Sequence, residues 1–308
     1  MRTRNNKRLI KFILTKAKQL CQTLETASPK RGRPKLYHDY IIVFALLLKI
    51  LENLSLRDLE FLLKELLPQA PDHATLCYRF KKIKNTILEK LIHETAKEIM
   101  KALEAKEFYC LIADGTGFGY SDTFNLTWMR GKQIRQVKSH VKTEVLVGVV
   151  KGKTIVVGVR TGKAYSDECK LLMPMLRTLK FRARYFLGDA YYGKVEVLKE
   201  IKRLKIKPIV PIRDTRHMKV RHLVRLWTKE NYEKGKEVYR KNRFKVEQVI
   251  GIVKNKFGDR DCVMDFHTAS LYVLARFALH NLILLFKLLF LPSFCHPFLS
   301  LTYFLNTL

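Results

Sequence analysis

The sequence predicts a mixed α/β domain preceded by an all-helical one, and three observations carry that prediction. Apolar residues recur at helical spacing up to about Ala105 and at strand spacing beyond it. Short β-branched runs then alternate with a helical segment, the pattern of a mixed sheet covered by helices. The 308 residues, 47% of them hydrophobic, suffice to bury a sizeable core, which excludes a disordered basic tail.

Charge narrows the partner. With 59 Lys+Arg against 28 Asp+Glu, the net charge is +31, and self-repulsion of that size is offset best by a polyanion. Nucleic acid is the first expectation and an anionic membrane the second. Cys21, Cys77, Cys110, Cys169, Cys262 and Cys295 form no C-x-x-C pair, and the N-terminus places charges where a secretory leader has an apolar core. A reducing, cytoplasmic setting is expected, with the chain on the nucleoid. Residues 270–291 are very apolar, but Arg276, His280 and Lys287 recur inside them, so a buried helix is expected and no membrane partner.

Taken in order, residues 1–36 read as a basic arm, since the first 35 carry eleven Lys/Arg and one acid, Glu25. Within it Pro29 to Lys35 reads P-K-R-G-R-P-K, the core of an AT-hook, whose Arg31 and Arg33 would lie in a narrow A·T minor groove. A basic hinge has the same composition. Residues 37–105 read as a helical DNA-binding domain. An apolar run from Tyr40 to Leu51 is followed by Ser55 and Asp58, a capping pattern, and then by Leu59, Leu62, Leu63 and Leu66 at helical spacing. After Pro68 and Pro71, one helix is expected from Thr75 to Leu91, apolar on one face, with Arg79, Lys81, Lys82 and Lys84 on the others. The pair reads as a helix-turn-helix-like unit that presents Arg79, Lys81 and Lys82 to DNA; a plain helical hairpin fits equally.

Residues 106–290 carry the sheet. Phe108 to Asp114 reads as a short strand, Glu144 to Val150 and Thr154 to Val159 as a hairpin turning at Gly152, and Tyr185 to Asp189 as a further strand. A helix over Val195 to Leu204 and a strand over Lys207 to Ile212 follow. Arg213 to Lys245 is polar and reads as irregular, a basic insertion at about residues 213–240. Helices from about Phe244 to Lys256 and Ala269 to Phe290 close the domain, and residues 291–308 form an apolar tail.

Two apolar strands thus end in an aspartate, Asp114 in L-I-A-D-G-T-G-F and Asp189 in F-L-G-D-A-Y-Y-G. A buried carboxylate there needs a cation, and strand ends of an α/β sheet are where ligands sit. Glu247 is the third candidate, the only acid between Val238 and Gly258. On a single helix Arg243, Glu247 and Lys254 share a face, with Val246, Val249, Ile250 and Val253 toward the core. Three carboxylates from separate elements suit Mg²⁺, and two cations about 3.5 to 4 Å apart would stabilise the entering and leaving oxygens of an in-line phosphoryl displacement. From Lys202 to Arg260 there are 19 Lys/Arg and 6 Asp/Glu, with Trp227, Tyr232 and Tyr239 interleaved for stacking.

With these residues the chain resembles the DDE transposases of bacterial and archaeal insertion sequences, in the group with a Tyr-Arg-Glu-Lys third motif. The likeness rests on D-G-T-G-F at Asp114, G-D-A-Y-Y-G at Asp189, and R-x3-E-x6-K formed by Arg243, Glu247 and Lys254, and covers roughly Lys35 to Phe290. Tyr239 stands four residues before Arg243, where the group's tyrosine usually stands three before. The resemblance implies a ribonuclease-H-like fold with Asp114, Asp189 and Glu247 as catalytic metal ligands. It also implies Mg²⁺, replaceable by Mn²⁺, as cofactor. DNA is then the partner, both terminal inverted repeats and target, bound by a homodimer or higher oligomer. Tyr239, Arg243 and Lys254 are expected on the DNA, the latter two at phosphates flanking the scissile one. A metal-dependent nuclease without strand transfer, or a non-catalytic DNA-binding protein, are the competing functions.

Overall fold

The computed structural model describes residues 2–22, 36–121, 125–130, 133–214 and 219–291. The chain divides into two compact units, residues 1–104 with 275–308, and residues 105–274.

In the first unit the expected arm is instead, over its first part, helix α1 (Arg2–Gln22). Ile13, Ala17, Leu20 and Cys21 recur at helical spacing and are all buried, so an apolar stripe holds the segment despite its charge. Helix α2 (Asp39–Glu52) is apolar nearly all round, buries eight residues, and stops at Asn53, which takes up the left-handed backbone (φ 50°). Helix α3 (Leu56–Leu66) starts as its cap predicts, the Asp58 N–H donating to Ser55 Oγ at 3.2 Å. Helix α4 (His73–Phe80) opens in the same way, with the Thr75 N–H on Asp72 Oδ1 at 2.6 Å.

The single helix expected from Thr75 to Leu91 is broken, for α5 (Asn85–Ala102) begins afresh after residues 81–84. Lys81, Lys82 and Lys84 stay in solvent while Ile83 is buried, and the break allows both without a helical lysine entering the core. The last helix of the chain returns to this unit from residue 275, its Asn281 Nδ2 donating to the Ile92 carbonyl at 3.3 Å. Phe12 packs on Phe286 with centroids 5.6 Å apart.

The second unit is built on strand β1 (Phe108–Tyr120), which runs straight through Asp114 instead of ending there. A hairpin of β2 (Asn125–Arg130) and β3 (Gln133–Lys138) stands apart as a two-stranded sheet. Strands β4 (His140–Val150) and β5 (Lys153–Gly162) form the expected hairpin, longer than the sequence indicates. Helix α6 (Glu168–Arg177), strand β6 (Ala183–Leu187), helix α7 (Val195–Arg203) and strand β7 (Lys207–Ile209) follow.

Residues 213–245, read as irregular, contain the 20-residue helix α8 (Leu223–Asn242). Its buried stripe is Val224, Thr228, Gly235 and Asn242, spaced four, seven and seven apart with Val224 the one aliphatic side chain among them, which leaves no apolar periodicity in the sequence. A Cβ on Gly235 would stand 2.7 Å from Ile209 Cδ1, so the helix packs on β7 only because that position is glycine. Helix α9 (Lys245–Phe257), the two-residue strand β8 (Arg260–Asp261) and helix α10 (Phe266–Phe290) complete the chain. Two-thirds of the most apolar window of α10 is buried inside the protein, with Arg276 and Asn281 among its buried residues.

The main sheet is mixed, in the order β5-β4-β1-β6-β7. Strands β5, β4 and β1 are antiparallel, whereas β6 and β7 run parallel to β1 and to each other. One edge of β1 is paired with β4 from Cys110 to Gly119. Its other edge meets β6 only up to Ile112 and β8 only from Gly119, so among the described residues no strand covers the stretch between them. Asp114 lies in that gap.

Candidate active site

Register brings the two aspartates together. Ile112 of β1 pairs with Leu187 of β6, and each chain carries an aspartate two residues further on, Asp114 and Asp189. Neighbouring strands stand roughly 4.8 Å apart, so β6 releases the chain beside the point where β1 presents Asp114. Asp189 is exposed and opens a short 3₁₀ turn, its Oδ1 accepting the Tyr191 N–H at 2.9 Å. Its second oxygen has no hydrogen-bond partner among the described residues.

Directly opposed residues of an antiparallel pair share a face and successive residues alternate. Asp114 pairs with Val145 and Phe118 with Val141, which puts them on the face covered by α9; Lys254 of α9 lies over the Phe118 ring at 5.0 Å. Gly115 pairs with Glu144 on the opposite face, the one covered by α6. The site therefore has two layers separated by β1.

On the α9 face the third motif is not one continuous helix. Arg243 caps the end of α8, and Glu247 lies in the first turn of α9. The junction residues Arg243 and Phe244 keep near-helical angles, which is why the i, i+4 relation of Arg243 and Glu247 survives. Arg243 Nη2 donates to Asp114 Oδ1 at 2.9 Å and Nη1 to Glu247 Oε1 at 3.3 Å. This guanidinium, expected on DNA phosphate, is only 14% exposed and is committed to the two acids. Burial pushes the Asp114 carboxyl above the usual aspartate range, Arg243 pulls it back, and Glu247 and Glu168 add to the rise. Burial also opposes the charge of Arg243, but Asp114, Tyr239 and Glu247 outweigh it and its pKa is raised. Tyr239 is half-buried, its ring edge-on to Tyr232 at 5.4 Å. Its phenol is shifted up by burial and Asp189, against the pull of Arg243. Burial on Phe118 lowers the Lys254 pKa, partly offset by Asp259.

The α6 face holds residues that the sequence reading passed over. Glu144 is fully buried in β4; its Oε1 accepts the Tyr192 hydroxyl at 2.8 Å, and its Oε2 has no hydrogen-bond partner among the described residues. The same hydroxyl is 3.4 Å from Glu168 Oε2, whose other oxygen takes Lys142 Nζ. Burial raises the Glu144 carboxyl well above its usual range, and Glu168 and Asp114 raise it further against the Tyr192 hydrogen bond. The available signal was Glu144 itself, an acid inside a β-branched run, where a core strand takes one only with buried partners.

Of the other expected DNA contacts, Lys81 and Lys82 are exposed, with Lys82 Nζ 5.4 Å from the Tyr78 ring centre. Arg79 is turned inward, donating to the Tyr37 carbonyl at 3.1 Å and to Asp39 Oδ1 at 2.5 Å, because a 13%-exposed guanidinium requires a counter-charge. Arg31 and Arg33 lie outside the described residues.

The donor chemistry fits a hard divalent cation: carboxylate oxygens only, with one oxygen each of Asp114 and Asp189 unengaged. Among the described residues, however, no three His, Cys, Asp or Glu side chains converge closely enough to hold an ion. Glu247 points to solvent with its side chain 63% exposed, and the charge of Asp114 is balanced by Arg243.

The family model for the transposase DDE domain matches residues 106–282, and the chain belongs to that family. It is 65% identical over 293 residues to an uncharacterized protein of Aquifex aeolicus (strain VF5), covering 94% of this chain and 91% of that one. Two solved structures are similar at low identity. One is the piggyBac transposase synaptic complex with hairpin DNA (10% identity, 91% of this chain and 72% of that chain, TM-score 0.45). The other is the Drosophila P element transposase strand transfer complex (12% identity, 86% and 83%, TM-score 0.30).

Proposed function

We propose that this transposase cuts DNA at the ends of an insertion sequence and joins the freed 3′-hydroxyl to target DNA, both steps being phosphodiester displacements at the site of Asp114, Asp189 and Glu247. The observation that carries the proposal is the equal offset of Asp114 and Asp189, each two residues beyond the paired Ile112 and Leu187 of neighbouring parallel strands, with Glu247 one i, i+4 contact away through Arg243. The strand order, three antiparallel strands followed by two parallel ones, supports a ribonuclease-H-like reading of the sheet.

Asp114, Asp189 and Glu247 are the residues that would hold Mg²⁺, or Mn²⁺ in its place, and the bound cations supply charge stabilisation to the entering and leaving oxygens. Arg243 orients Asp114 through Oδ1 and leaves Oδ2 available. Glu247, exposed and 3.3 Å from Arg243 Nη1, would turn toward the aspartates when a cation competes for it. In this reading Lys254 of α9 would meet phosphate, and the exposed Lys81 and Lys82 of the helical unit would do the same. In the proposal the protein acts on the nucleoid in the cytoplasm, as a dimer or higher oligomer on terminal repeats.

The test is a joining reaction with the full chain, a duplex carrying the sequence that borders its gene, and a plasmid target. Joined product that requires Mg²⁺ or Mn²⁺ supports the proposal. Cleavage without joining favours the nuclease reading, and DNA binding with neither overturns enzymatic function.

A further inference from the structure

Each aspartate has a glycine neighbour, and both glycines are pressed from the α6 face by the same cluster. A Cβ on Gly115, the residue after Asp114, would come closer than 3 Å to the Glu168 carboxylate. A Cβ on Gly188, the residue before Asp189, would stand 2.7 Å from Tyr192 Cδ2. Neither glycine has a positive φ, so close approach and not backbone freedom demands glycine at both positions. Tyr192 and Glu168 are in turn tied to each other and to Glu144 of β4 through the Tyr192 hydroxyl. Lys142 of β4 closes the set on Glu168.

We infer that Tyr192, with Glu144 and Glu168, is a positioning clamp that fixes the spacing of Asp114 and Asp189 from behind the sheet. Asp189 sits where the chain has left β6, so no strand pairing fixes its height relative to Asp114. Tyr192, three residues on and fully buried, is what anchors that turn. Its ring covers Gly188, and its hydroxyl reaches the strand that pairs with β1 at Gly115 and the helix whose Glu168 covers Gly115. Removing the hydroxyl keeps the ring on Gly188 and cuts the link to Glu144 and Glu168. The two aspartates then lose their common reference while each keeps its own backbone conformation.

The inference rests on the reading that Asp114 and Asp189 hold a divalent cation, and the experiment separates the two. Mn²⁺ binding to the full chain is followed by electron paramagnetic resonance for wild type, Asp189→Asn, Tyr192→Phe and Glu168→Gln. The Mn²⁺ dependence of DNA cleavage is measured in parallel. Loss of an outer partner of a metal ligand typically weakens metal affinity about 10- to 100-fold. Tyr192→Phe, folded by circular dichroism, is expected to bind Mn²⁺ at least about tenfold more weakly and to reach half-maximal rate at correspondingly higher Mn²⁺, with much of the maximal rate recovered at saturation. Glu168→Gln, which keeps the packing on Gly115, is expected to shift the same way. A purely structural role would lower the melting temperature without moving the Mn²⁺ midpoint, and that result in both variants overturns the clamp. Wild-type Mn²⁺ binding that is absent, or indifferent to Asp189→Asn, overturns the metal-site reading and the clamp with it.

Discussion

Arg243→Met removes the guanidinium paired with Asp114 while keeping most of the side-chain stem. Asp114 and Arg243 are 20% and 14% exposed, so the broken pair counts as mostly buried. Breaking a fully buried pair costs about 3–5 kcal/mol, and partial exposure brings this to about 2–3 kcal/mol. For a chain of 308 residues that lowers the unfolding midpoint by roughly 3–5 °C near neutral pH. The sign with pH follows from Asp114. Its carboxyl is already raised by burial, Arg243 opposes that rise, and the variant lifts it further. A group raised in the folded state contributes stability that is present below its unfolded value and lost as pH rises through its folded value. The penalty of Arg243→Met is therefore small at about pH 4 and grows toward about pH 7, and adding Asp114→Asn recovers most of it. Thermal unfolding of the single and double variants across that range is the assay. A penalty independent of pH, or no recovery in the double variant, refutes the pairing as the source of the effect.

Further outcomes are expected elsewhere. Gly115→Ala overpacks against Glu168 and should cost about 1–3 kcal/mol in urea unfolding, with Gly115→Ala/Glu168→Ala less destabilised than Gly115→Ala; equal loss in both would contradict the contact. Glu144 is raised well above its usual range, so wild type should lose stability as pH climbs through that raised value, and Glu144→Gln should flatten the slope; parallel profiles would show that Glu144 carries no such linkage. A fragment of residues 1–104 lacks the α10 residues that complete its unit, Asn281 and Phe286 among them, so it should unfold without a cooperative transition. A sharp calorimetric peak for it would show that α10 is dispensable there. DNA binding by the full chain should weaken by orders of magnitude between about 50 and 200 mM salt, as counterion release demands, and a flat titration would leave the +31 charge without its expected role.

What the sequence shows of this fold depends on which residues carry the packing. The hairpin at Gly152 and the caps at Ser55 and Asp72 follow from local chemistry, and the first two were read directly. Helix α8 was invisible because its buried stripe is Val, Thr, Gly and Asn, which gives no hydrophobic period. Helix α1 was masked by its charge, although Ile13, Ala17 and Leu20 lay at helical spacing. At the candidate site the motifs drew attention to Asp114, Asp189 and Glu247, and register joins the first two. The continuation of β1 past Asp114 depends on pairing with β4, a non-local contact that no window around Asp114 contains. Tyr192 and Glu144 were missed for the same reason, since their link spans 48 residues.

In the proposed reading Asp114, Asp189 and Glu247 make one metal-dependent centre on DNA. It is tested most directly by cleavage of the bordering duplex with wild type, Asp114→Asn, Asp189→Asn and Glu247→Gln, each at saturating DNA and with Mg²⁺ or Mn²⁺. Each variant should lose cleavage while keeping or gaining affinity for DNA, because removing an acid from a basic surface reduces repulsion toward phosphate. Cleavage by a variant at the wild-type rate, or wild-type cleavage undiminished by chelation of divalent cations, would contradict it.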